Sequence, residues 1–79
     1  MNKTRQKQID KAIAFLEEAK ALLDTAQSEE QEFYDNMSEK AQEGEKGEKA
    51  SEAANALQEA ADYCEHAIDS CNTAKGDEE

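Results

Sequence analysis

The side chains with the widest chemical reach in this chain lie in its second half. His66 follows Asp62 by four residues and precedes Asp69 by three. On a helix that spacing stacks the three side chains on one face. An Asp-His-Asp face could hold a divalent ion weakly, but a charged surface helix accounts for the same residues with less. Cys64 and Cys71 are seven residues apart. On one helix their Cα atoms would stand about 10.5 Å apart, too far for an internal disulfide. Zinc would need two further soft ligands, and His66 is the sole histidine. The two cysteines therefore read as small apolar members of a buried stripe, with pairing between two copies as the alternative. The chain carries no Gly-rich phosphate loop, nucleophile elbow or HExxH pattern. The expectation is a non-enzymatic protein with no catalytic residues, no metal and no cofactor.

A second pattern is electrostatic. Glu45, Glu48, Glu52, Asn55, Glu59, Asp62, His66 and Asp69 follow one another in alternating steps of three and four. Such a series draws one line along a helix, with about 4.5–6 Å between successive members. Phosphates along a DNA strand repeat at a comparable pitch. A rod with this line could occupy a basic groove built for nucleic acid, gaining encounter rate from steering and losing affinity with salt. The plainer reading is a solvated face, since a helix needs one and Glu is a good helix former.

The elements that would position these residues follow from periodicity. Length allows one small domain, 1–79. Acids outnumber Lys plus Arg by 20 to 9, for a net charge of −11. High charge and few aromatics are the composition of a disordered chain, but the pattern is that of a folded one. Ile9, Leu16, Leu23 and Met37 fall in one seven-residue series, interrupted by Glu30; Ala12, Ala19, Ala26 and Phe33 form a second. Ile13, Phe15 and Leu22 widen this stripe, predicting a helix over 4–34. Ala50, Leu57, Cys64 and Cys71, with Ala53, Ala60, Ala67 and Ala74, repeat the logic over 48–74, widened by Ala54, Ala61 and Ile68. Lys75-Gly76 is a stop signal opening a short acidic tail, 75–79. The connector, 35–47, holds Asp35, Asn36, Ser38, Gly44 and Gly47, with Ser38 placed to cap one helical turn through Gln42. The fold class expected is all-α, an antiparallel two-helix hairpin with an Ala-rich coiled-coil seam.

The core of such a hairpin is thin. The second helix offers Leu57, Tyr63, Ile68 and two Cys as sizeable apolar groups, whereas the first offers Ile9, Ile13, Phe15, Leu16, Leu22 and Leu23. That surplus predicts a second contact surface through Ile9, Ile13, Leu16, Leu22 and Leu23. A homodimer in the form of a four-helix bundle is the first expectation, and ordering on another protein the second. Charge is uneven as well. Residues 1–20 carry five cations against three acids, whereas residues 29–48 carry eight acids against two lysines. An antiparallel hairpin sets the basic start of helix one beside Asp62, Glu65 and Asp69. Phe33, Tyr34 and Met37 form an apolar cluster at the acidic closed end. They either cap the core or anchor a partner, as aromatics within a charged rim do.

The run from Glu29 through Phe33, Tyr34, Asp35, Asn36, Met37, Ser38 and Glu39, followed by Gly44-Glu45-Lys46-Gly47-Glu48 and an Ala-rich helix, resembles small acidic helical proteins of bacteriophages, prophages and mobile elements. Ser38 stands where that pattern often has Pro. The resemblance implies an accessory protein that inhibits a host defence nuclease or transcription machinery, in some cases by imitating DNA. Together the readings favour an acidic protein-binding module that blocks a basic surface of a host protein. Glu45, Glu48, Glu52, Glu59, Asp62 and Asp69 would carry the electrostatics and Phe33 and Tyr34 the anchor. The alternative is a coiled-coil assembly subunit, in which the acids are interchangeable. The charge argues against direct nucleic-acid binding. No run approaches a membrane span and no leader pattern stands out, so a cytoplasmic protein is expected.

Overall fold

A computed structural model describes residues 2–76. They form three helices, α1 (Lys3–Asp35), α2 (Glu39–Glu43) and α3 (Glu45–Gly76), and the two long ones pack against each other. Among the described residues no helix is long and apolar enough to cross a membrane.

The first two helices begin at side-chain caps. The Asn2 Oδ1 accepts a hydrogen bond from the Arg5 N–H at 2.8 Å, which starts α1 one residue before Thr4. At its far end the Asn36 N–H donates to the Glu32 carbonyl at 3.0 Å and the Met37 N–H to the Tyr34 carbonyl at 3.1 Å. Ser38 caps the short turn as its position suggests, its Oγ accepting from the Ala41 N–H at 3.2 Å. Gln42 then ties α2 to α1, its Nε2 donating to the Tyr34 carbonyl at 2.9 Å.

The start of α3 departs from the spacing argument. It lies at Glu45, three residues before the predicted 48, so Gly47 belongs to a helix and not to the connector. Gly44 separates α2 from α3 and is extended (φ −88°, ψ −176°). No described glycine adopts a positive φ. Gly47 is buried for a different reason: a Cβ there would stand 2.3 Å from the Gln42 carbonyl oxygen and 2.4 Å from the Gln42 Cα. Only a hydrogen at that position lets α3 start this close to α2. Lys75 and Gly76, assigned by pattern to the tail, continue α3, and residues 77–79 of that tail lie outside the described residues.

The last turn of α3 lies beside the early turns of α1, where the Lys75 ammonium pairs with the Asp10 carboxylate. The particle is a rod of 59 × 15 × 13 Å. Its fully enclosed apolar residues are Ala50, Ala54 and Ala61, the last two at 1% exposure. No large side chain is completely buried among the described residues. Burial on α3 therefore centres on Ala50 and the Ala54–Ala61 edge, while Ala53, Ala60, Ala67 and Ala74 are half-buried. The facing stripe of α1 is turned the same way: Ile13, Lys20 and Gln27 are half-buried, whereas Phe15 and Leu22 stand in solvent.

The glycine constraint has a direct test. Gly47→Ala is expected to cost about 1–3 kcal/mol, because the obstacle is backbone and cannot swing away. Gly76→Ala, with nothing within 4 Å of the added methyl, should lie within about 0.5 kcal/mol of the parent. Thermal unfolding followed by circular dichroism reads both; equal melting of the two variants would contradict the close approach.

Candidate functional site: the carboxylate line of α3

The acidic series keeps its register through one uninterrupted helix. Glu45, Glu48, Glu52, Glu59, Asp62 and Asp69 are all exposed, as are Asn55 and His66 within the line. From Glu45 to Asp69 the helical rise spans about 36 Å. Over Glu45, Glu48, Glu52 and Glu59 the line lies opposite Ala50, Ala54 and Ala61 on the helical wheel and faces away from α1, whereas at its far end Asp69 turns toward the flank of the helix pair. Two members have neighbours on their own helix: Lys49 Nζ stands 3.3 Å from Glu45 Oε1, and Gln58 Nε2 donates to Asp62 Oδ1 at 3.2 Å. Glu48, Glu52, Glu59 and Asp69 have no ion-pair partner among the described residues. Their charge is available to an incoming group.

Phe33 and Tyr34 sit at the end of α1, near the start of this line. Phe33 is 49% exposed, and the Lys46 Nζ lies 5.8 Å from its ring centroid in a cation–π arrangement. Tyr34 is half-buried and is held through the Gln42 bond to its carbonyl. Met37 is half-buried as well. Of the five residues expected at a second contact surface, Ile9, Ile13, Leu16 and Leu23 are half-buried along the α1–α3 packing, and Leu22 is exposed at 67%. Cys64 and Cys71 are free thiols, both half-buried. Among the described residues no group of three His, Cys, Asp or Glu side chains is gathered to hold a metal ion.

Sequence reasoning did not find a second acidic feature. A shallow, open groove along one flank of the helix pair is lined by Glu17, Lys20, Ala21 and Asp24 of α1 with Glu65, Ile68 and Asp69 of α3. Lys20 is its cation. The Lys20 Nζ stands 3.0 Å from Asp24 Oδ2. That hydrogen bond and the Asp24 charge raise the Lys20 pKa above its ordinary 10.5, with smaller contributions from Glu65 and Asp62. The Lys20–Asp24 spacing is visible in the sequence as an i, i+4 pair. Its neighbours on α3 are not, because they depend on the relative rotation of the two helices. The ion pair that crosses the seam, Lys75–Asp10, has its cation on α3 and its acid on α1. That polarity is the reverse of the one suggested by the basic start of helix one.

Comparison with protein families, with curated proteins and with solved structures finds no match to this chain. The functional reading therefore stands on these side chains alone.

A raised lysine pKa fixes the sign of a pH effect. The folded state holds the Lys20 proton more tightly than the unfolded chain, so this contribution is complete below pH 10.5 and is lost as pH rises through the folded value. As pH rises above 10.5, the parent should lose stability more steeply than a Lys20→Met variant, which lacks this titrating group. Parallel alkaline curves for the two proteins in a circular dichroism titration would contradict the pairing.

Proposed function

We propose that this chain is an antiparallel helical hairpin that works as a non-enzymatic, acidic protein-binding module and covers a basic, nucleic-acid-binding surface on another protein. The observation that supports this most is the exposed carboxylate line of α3, straight over one helix and largely free of compensating cations. A rigid row of this kind meets a phosphate-binding groove with its charges already placed, so little ordering entropy is lost on contact. Glu45, Glu48, Glu52, Glu59, Asp62 and Asp69 supply the charge, and Phe33 and Tyr34 the apolar anchor at one end. Steering makes association fast and salt-sensitive. The setting that fits is an accessory protein of a phage or mobile element acting in the host cytoplasm on a defence nuclease or a similar DNA-handling protein. Dimerisation into a four-helix bundle would place two such lines on one particle.

A second reading, a coiled-coil subunit of a larger assembly, draws on the exposure of Phe15 and Leu22. There the apolar side chains matter and the acids are interchangeable.

Affinity capture from host lysate at low and high salt, with the chain immobilised, separates the two. The proposal expects basic DNA-binding proteins to be retained, released by roughly 0.5 M salt and displaced by duplex DNA. Glu52→Lys, Glu59→Lys and Asp62→Lys together should abolish retention while leaving helicity intact, because all three are exposed. Retention that ignores salt, DNA and the triple charge reversal would overturn the blocking role in favour of the assembly subunit.

A further inference from the structure

The two flanks of the α1–α3 pair differ in chemistry. One is the groove of Glu17, Lys20, Asp24, Glu65 and Asp69 described above. The other belongs to the residues that directly precede Leu16, Leu23 and Cys64 in the seven-residue series. These are Phe15, Leu22 and Tyr63, exposed at 61%, 67% and 65%. In an antiparallel pair, equivalent heptad positions on the two helices border the same flank. The Lys75–Asp10 contact and the influence of Glu65 on Lys20 set the register, and they place Leu22 and Tyr63 at the same height along the rod. Between these three side chains the floor is alanine: Ala19, Ala60 and Ala67 are half-buried. One face thus carries three large apolar projections above a row of methyl-sized depressions, while its opposite carries charge.

We infer that this apolar flank is the surface on which a second copy of the chain docks, completing a four-helix bundle. The inference rests on the dimer reading given above and supplies its interface: Phe15, Leu22 and Tyr63, in place of Ile9, Ile13, Leu16 and Leu23, which α3 already covers in part. Three features select a second copy as the occupant. The face is self-complementary, because projections from one copy meet alanine depressions on the other, as a two-fold interface requires. Its size suffices: three large side chains per copy with the alanines around them amount to roughly 1,000 Å² over both partners, the scale of a specific interface. The charge asymmetry along the rod also fits. In a two-fold arrangement the cation-rich residues 1–20 of one copy lie against the acid-rich segment 29–48 of the other. The carboxylate line of α3 remains open in the dimer, because Glu45, Glu48, Glu52 and Glu59 face away from the seam and Asp69 lies on the charged flank.

Sedimentation equilibrium of the full chain over a concentration series tests this. The parent should be a dimer at tens of micromolar, and Leu22→Glu with Tyr63→Glu should weaken self-association by at least about tenfold. Glu65→Gln, on the charged flank, should leave the mass unchanged. A parent that stays monomeric, or a double variant that stays dimeric, overturns the interface. Should the double variant lose its helicity, intermolecular NOEs in a mixed-isotope sample of the parent decide: contacts between copies at the Phe15 and Tyr63 rings uphold the inference, and their absence overturns it. The blocking role is judged separately, because the triple charge reversal on α3 replaces none of Phe15, Leu22 and Tyr63. A dimer that captures no basic protein sinks that role alone, and a monomer that captures one sinks this interface alone.

Discussion

The whole structure depends on how closely two long helices can approach. Ala50, Ala54 and Ala61 are the enclosed apolar residues of α3, and Gly47 lets that helix start against the backbone of α2. Small residues bring helix axes toward the short end of the usual 8–10 Å range. They also bury little area per residue. Both consequences persist through the molecule: a straight, narrow rod with a precise rotation of one helix about the other, and large apolar side chains that this rod does not enclose.

Rotation decides what each face presents. With the seam centred on the Ala54–Ala61 edge, Glu45, Glu48, Glu52 and Glu59 of α3 point away from α1, one flank gathers acids around Lys20, and the other gathers Phe15, Leu22 and Tyr63. A turn of one helix by a single heptad position would mix these surfaces. The segregation of charge from apolar surface is therefore a product of the alanine positions. The functional reading uses that segregation, since a charged rod can occupy a basic groove only if its apolar surface is engaged elsewhere.

Much of this was legible in the sequence. The seven-residue repeats located both long helices, and Ser38 marked the short capped turn. The carboxylate line could be drawn because its members share one helix, where a fixed rise and turn relate every pair. Features that depend on two elements at once were harder to read. Gly44 and Gly47 look alike as turn residues, yet one ends α2 and the other makes room for the Gln42 carbonyl. The Lys75–Asp10 pair and the acids around Lys20 required the rotation of α3 on α1, which alternating alanines leave nearly degenerate. For the same reason Phe15 looked like core and proved to be surface.

The central claim is that these alanines join the two long helices in one rotation, and methyl-resolved NMR tests it most directly. With alanine methyls labelled in the parent protein, Ala50, Ala54 and Ala61 should show NOEs to side chains of α1, while Ala56, on the exposed side of α3, should show none within the same chain. NOEs from Ala56 to α1 without those from Ala54 and Ala61, or no contacts between the helices at all, would contradict the account.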